Sequence, residues 1–223
     1  MPDLTSLTPF SIEPLTKHLI LCEGKDDETF LDSYLRSDIF SQQNIDSIQV
    51  TQVYGVDNFR NTVRVLVNTD GFSRLRSILI IRDADNDIRS AQDNVKGVFA
   101  NANLPIPQAE CQWRDDGSIK TGFLLMPSCS ERSQNGALDD LCWEIISNKY
   151  GVSIRNEVKD FIESLESSTK RTFTHKAKAL IHTYFSATDR LIAASIGRAA
   201  EAGAFDWTSD NLQSLHDFLV SMV

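Results

Sequence analysis

The apolar positions of this chain follow two alternating rhythms. Lys17 to Cys22 and Arg76 to Arg82 are near-continuous apolar runs, and Asp46 to Val53 alternates and is rich in β-branched residues. Short runs of this kind suit strands, and continuous ones suit strands buried on both faces of a parallel sheet. Between and after them the spacing turns helical. Phe30, Leu31, Tyr34 and Leu35 mark a helix over Lys25 to Arg36, with acids in its first turn. Phe59, Val63, Leu66 and Val67 mark a second over Val56 to about Asn68, and Ile88 to Ala102 reads as a third. The order β-α-β-α-β-α predicts an α/β fold with a mainly parallel, Rossmann-like sheet covered by helices and right-handed crossovers.

The rest of the chain divides in two. Leu104-Pro-Ile-Pro107 is a linker, and Glu110 to Trp113 and Ile119 to Met126 flank Asp115-Asp116-Gly117, a hairpin signal. A polar loop from Pro127 to Gly136 precedes a helix opening at Leu138. Beyond Gly151 no strand is predicted. The spacing gives helices over about Ser153 to Leu165, Thr172 to Phe185, Leu191 to Ala202 and Ser209 to Val220, separated by polar joints such as Ser167-Ser168-Thr169. The expected organisation is an α/β domain over 1–150, opening with an irregular leader or edge strand to Thr16. A helical C-terminal extension over 151–223 packs on that domain.

Charge narrows the function. The 223 residues carry a net charge of -9, which argues against an extended, non-specific duplex-binding surface, because phosphate neutralisation supplies much of that affinity. A local basic patch or a metal-bridged contact is compatible with it. No apolar run approaches the roughly 20 residues of a membrane span, and the N-terminus lacks a secretion-signal pattern. The four cysteines, Cys22, Cys111, Cys129 and Cys142, have no zinc-ligand spacing. They read as reduced thiols of a cytoplasmic protein.

Candidate chemistry lies where the strands stop. The run Ile78 to Ile81 ends at Asp83, Asp85 and Asp87, and the first strand ends at Glu23-Gly24 with Asp27 close behind. Ligands of open α/β sheets sit at the carboxyl ends of strands. Two aspartates at this spacing share a face if the strand continues, and they repel unless a proton or cation lies between them. A hard cation such as Mg²⁺ suits them. The alternative is ordinary capping, in which Asp85, Asn86 or Asp87 begins the helix at Ile88.

At these residues the sequence resembles the TOPRIM domain of type IA and type II topoisomerases, bacterial primases and overcoming-lysogenization-defect (OLD) type nucleases. Leu124-Leu-Met-Pro127 followed by Gly136-Ala-Leu-Asp-Asp-Leu141 further resembles small stand-alone TOPRIM-like proteins of a domain-of-unknown-function family. So do Lys176-Ala-Lys-Ala, Gly203-Ala-Phe-Asp-Trp207 and Leu215-His-Asp-Phe-Leu219. The resemblance implies Glu23 as general acid or base, Asp83 and Asp85 as Mg²⁺ (or Mn²⁺) ligands, and Asp27 as an acid for a second metal. It also implies Asp139 as a metal ligand, standing where such relatives usually have the longer Glu before an acid. Topoisomerases need a tyrosine from a separate domain and primases a zinc domain, so nuclease-type phosphodiester hydrolysis is the activity implied. The alternative is a non-catalytic TOPRIM-like scaffold in a defence or repair assembly, with a protein partner or a homodimer. A phosphatase using Asp83 as nucleophile would want its Asp-x-Asp after the first strand.

For a nucleic-acid contact, DNA or RNA, the candidates are Lys25 beside Glu23 and the set Arg171, His175, Lys178 and His182. That set falls on one arc of a predicted helix opposite Phe173, Ala177, Leu180, Ile181 and Tyr184; an ordinary solvated face is the competing reading. Arg82 is expected to point away from Asp83 and pair with a helix carboxylate. His18, His216, Trp113, Trp143 and Trp207 read as structural.

Overall fold

The computed structural model describes residues 11–41, 47–127, 135–147 and 152–222. Five strands form one sheet: β1 (His18–Cys22), β2 (Ile48–Gln52), β3 (Ser77–Asp83), β4 (Arg114–Asp115) and β5 (Lys120–Met126), in the order β2-β1-β3-β5-β4. Strands β2, β1, β3 and β5 are parallel and β4 pairs antiparallel to β5. Among the described residues the α-helices are α1 (Lys25–Leu35), α2 (Asp38–Ser41), α3 (Phe59–Leu66), α4 (Ile88–Asn101) and α5 (Leu138–Glu144). They continue with α6 (Val152–Thr169), α7 (Lys176–Ser186), α8 (Ile196–Glu201) and α9 (Gln213–Val220). The expected α/β class and mainly parallel sheet are what the fold shows.

Strand alternation distributes the core. Leu19, Leu21, Ile78, Ile80, Phe123 and Leu125 point to one face, where Phe59, Val63 and Leu66 of α3 and Val95, Val98 and Phe99 of α4 cover them. Ile20, Leu79, Ile81, Leu124 and Met126 point to the other, into one cluster with Phe30, Leu31 and Tyr34 of α1, Leu141 of α5, Leu180, Ile181 and Tyr184 of α7 and Leu215 and Leu219 of α9. The C-terminal helices thus share a core with the sheet. Truncating a residue such as Leu79, fully buried, costs about 2–5 kcal/mol. The expected boundary at Gly151 lies outside the described residues. No helix among the described residues is long and apolar enough to cross a membrane.

Several local expectations need correction. The second helix splits into a 3₁₀ turn, Val56–Asn58, and α3. Glu110 to Trp113 is not a strand, and the antiparallel partner of β5 is the two-residue β4. The reason is Trp113, which stacks on Phe218 at 4.6 Å and lies over Gly122, where a Cβ would come within 2.7 Å of the indole. The Cys111 N–H still reaches the Phe123 carbonyl of β5 at 2.9 Å, but the segment forms no ladder there. Cys111 within it is disulfide-bonded, whereas Cys22 and Cys142 are free and buried, so the reduced-thiol reading holds only for these two of the described cysteines.

Helix α6 runs through the expected joint at Ser167-Ser168-Thr169, whose side chains bond back to carbonyls of their own helix. It stops at Lys170, at positive φ. Glu166 then takes the N–H of Phe173 at 2.9 Å and pairs with Lys176 at 2.8 Å, bracing 170–175 as a loop. Helix α7 therefore begins at Lys176, not Thr172. Helix α8 begins at Ile196, not Leu191, because the Ser195 hydroxyl caps it.

Candidate functional site

The carboxyl ends of β1 and β3 are tied together by their acids. Glu23 follows β1 directly, and its Oε1 accepts the backbone N–H of Asp83, the last residue of β3, at 3.2 Å. Asp83 Oδ1 accepts the N–H of Leu138, the first residue of α5, at 2.9 Å. One carboxylate from each of two neighbouring strands and the start of a helix thereby meet at one rim.

Asp85 departs from the expected geometry. Its φ of 54° turns the chain, and it exchanges two 2.8 Å backbone bonds with Gly136. The strand does not continue, so Asp83 and Asp85 do not share a face: Asp83 is half-buried while the Asp85 side chain is 61% exposed. Asp87 caps α4 by accepting the N–H groups of Arg89 and Ser90. The capping reading was therefore right for Asp87.

Arg82 lies inside this rim, against expectation. Its side chain is 6% exposed. Nη2 donates to Asp85 Oδ2 at 2.9 Å, Nε donates to the Asp83 carbonyl at 2.9 Å, and Nε lies 3.4 Å from Glu23 Oε1. Its partners are rim acids, not a helix carboxylate. The positive φ of Asp85 brings that carboxylate back over Arg82, which strand alternation alone does not anticipate.

Helices α1 and α5 open in the same way. The third-position aspartate of each reaches back, Asp27 to the N–H of Gly24 at 3.1 Å and Asp140 to that of Ala137 at 2.8 Å. Asp140 thus has a capping task, whereas Asp139 Oδ1 is buried without a hydrogen-bond partner. Burial raises the proton affinity of Asp27, Asp83, Asp139 and Glu23. Asp27 is pushed up to about 6, and Asp83 well above the carboxylate range, where Asp27 and Glu23 add repulsion. Asp139 is also raised by burial, against the pull of Lys178 and His182. Glu23 is raised by burial and held back by Arg82.

A cleft of about 450 Å³ opens over the rim, lined by Asp83, Asp85, Asp139 and Asp140 on one wall. Phe173, Thr174, His175, Lys176 and Lys178 form the other. The sequence candidates therefore separate. His175 and Lys178 line the cleft, and the exposed His182 acts on Asp139 from α7. Arg171 sits in the loop before α7 and does not line the cleft; His175 stands at the N-cap position, just before the helix and not within it. Lys25 pairs with Glu28 at 2.6 Å, beside β2, and does not line the cleft. Phe173, expected on a buried face, is 39% exposed in the cleft wall because the Glu166 brace keeps it out of the helix.

Residues that sequence reasoning passed over also shape the site. Asn135 accepts the N–H of Ile88 and donates to the Asn86 carbonyl, closing the cleft floor. Nothing in its local sequence marks it. His18, by contrast, is structural as expected, bonded to Ser77 at 2.8 Å, and His216 lies 3.3 Å from the Tyr34 hydroxyl.

The donor chemistry suits a hard cation: all oxygen, mostly carboxylate, with one buried oxygen lacking a partner. Among the described residues, no three His, Cys, Asp or Glu side chains converge closely enough to hold an ion by themselves. Any ion held here would be one that takes one or two carboxylates and keeps several waters, not one in an all-protein cage.

Three solved structures of the C-terminal region of the Xanthomonas campestris pv. campestris OLD protein are similar to this chain. The one phased with iodine is 14% identical with a TM-score of 0.43, covering 94% of this chain and 96% of that one. That phased with mercury is 12% identical at 0.43, covering 94% and 97%. That phased with platinum is 16% identical at 0.40, covering 92% and 93%. No curated protein matches the chain. A family model described as "Protein of unknown function (DUF3226)" matches residues 17–223, nearly the whole sequence, and the chain belongs to that family.

Proposed function

We propose that this chain is a TOPRIM-like, divalent-metal-dependent phosphodiesterase acting on a nucleic-acid strand. The observation that carries this reading is the cleft itself: the half-buried carboxylates of Asp83 and Asp139 on one wall, Lys178 and His175 on the other. Asp83, with Asp139 or Asp27 beside it, would hold Mg²⁺ or Mn²⁺. Such an ion, when bound, polarises a phosphoryl oxygen and lowers the pKa of its water. The chain's own residues do the rest. Lys178 and His175 hold a phosphate at the mouth, and the Asn135 contacts keep the floor in place. Glu23, fixed by the Asp83 N–H and by Arg82, sets the relative position of the two strand ends. The size of the cleft favours a nucleotide-sized piece of strand over an intact duplex.

The test is incubation of the purified chain with single-stranded and duplex DNA and RNA, in Mg²⁺, in Mn²⁺ and in chelator. Cleavage that needs the metal supports the reading, and no cleavage of any substrate with either metal contradicts it.

A second reading, a non-catalytic binding or scaffold module, is favoured by one observation: Glu23, the expected acid or base, and Asp85, an expected metal ligand, are already engaged by Arg82. A rise in melting temperature on adding Mn²⁺ separates the two, since an ion that binds only the folded chain stabilises it. The scaffold reading expects no rise.

A further inference from the structure

Arg82 is a buried arginine one residue before a predicted metal ligand, and its contacts are with acids of the same rim. Its Nη2 donates to Asp85 at 2.9 Å and its Nε lies 3.4 Å from Glu23, with the side chain 6% exposed. A guanidinium does not deprotonate in a protein, so this is a permanent positive charge. Glu23 Oε1 is engaged a second time by the Asp83 N–H at 3.2 Å. Two-metal sites place their ions about 3.5–4 Å apart, each with carboxylates of its own. An ion between Glu23 and Asp85 would meet the guanidinium at ion-pair distance, in surroundings where like charges are poorly screened. In the cleft that Asp83 also lines, Asp139 presents a buried oxygen with no partner.

We infer that Arg82 is a resident counter-cation filling one of the two cation positions of the rim, so that the site takes a single divalent ion, on the Asp83 and Asp139 side. This rests on the metal reading proposed above. It makes Arg82 a positioning residue, acting through Glu23 and Asp85.

The experiment counts Mn²⁺ ions per chain by equilibrium dialysis and electron paramagnetic resonance, on the full chain and on Arg82→Gln and Arg82→Lys. The expected counts are one for the wild type, one for Arg82→Lys, which keeps the charge, and two for Arg82→Gln, which frees Glu23 and Asp85. Without metal, Arg82→Gln should melt lower than the wild type, by about a few degrees for pairs whose carboxylates stay partly exposed, and Mn²⁺ should restore more of its melting temperature than it adds to the wild type. Two ions on the wild type overturn the inference while leaving the metal reading standing. No ion on the wild type overturns the metal reading and the inference with it. A folded Arg82→Gln that still takes one ion also overturns the inference, and the wild-type count decides if that variant does not fold.

Discussion

Asp83 at the end of β3 accepts the N–H of Leu138 at the start of α5, at 2.9 Å and across 55 residues of sequence. This bond seats α5 on the sheet and brings Asp139, one residue on, to the cleft. It also costs something, since the accepting carboxylate is half-buried near Asp27 and Glu23. An asparagine keeps the acceptor oxygen and removes the charge. Asp83→Asn should therefore be no less stable than the wild type at pH 7 without metal. Asp83→Ala leaves the Leu138 N–H without its acceptor and should lose about 1–3 kcal/mol. Urea unfolding of the three proteins checks the order.

The raised proton affinity of Asp27 predicts how stability depends on pH. Its folded pKa is about 6 against an ordinary 3.8, with burial as the main cause. Between about pH 4 and 6 the folded chain keeps a proton that the unfolded chain has lost. Stability from this group is full below that window and falls as pH rises through it, by on the order of 3 kcal/mol. Thermal melts of the metal-free protein should show Asp27→Asn gaining on the wild type as pH rises from 4 to 7. Equal slopes would contradict the assignment.

Helix α8 approaches α1 through Gly197. The Gly197 N–H donates to Asp26 at 3.1 Å, and a Cβ on Gly197 would fall 2.7 Å from the Thr29 Cβ. Gly197→Ala should destabilise by about 1–3 kcal/mol through overpacking, read as a lowered midpoint in denaturant.

The sheet was legible in the sequence because continuous apolar runs such as Ile78 to Ile81 have few alternatives to a buried strand, and the helices of the α/β half followed from their spacing. The tail was less legible. The Glu166 brace that delays α7 to Lys176 is a contact across a turn, which periodicity does not see, and it moved Arg171 and Phe173 out of the predicted helix. At the site, the meeting of Glu23 with Asp83 could be anticipated from strand ends. The engagement of Arg82 could not, because it depends on one residue, Asp85, adopting positive φ. A charge inside an apolar strand run was the available signal.

The basic candidates separate by position, and binding should follow. Lys178 lines the cleft, while Lys25 pairs with Glu28 away from it and Arg171 lies outside the lining. Lys178→Ala should weaken binding of a single-stranded oligonucleotide and reduce the slope of log affinity against log salt by about 0.7, the share of one phosphate contact. Lys25→Ala and Arg171→Ala should change neither. Fluorescence anisotropy over a salt series measures all three.

The central claim is that the Asp83 rim performs metal-dependent hydrolysis. The most direct measurement is the cleavage rate of a labelled single-stranded oligonucleotide in Mn²⁺, comparing the wild type with Asp83→Asn after matched melting curves show both folded. A metal ion contributes several kcal/mol to such a transition state, so Asp83→Asn should be slower by about 100-fold or more, and chelator should abolish wild-type cleavage. Equal rates in the two folded proteins, or wild-type cleavage that persists in chelator, would contradict the account.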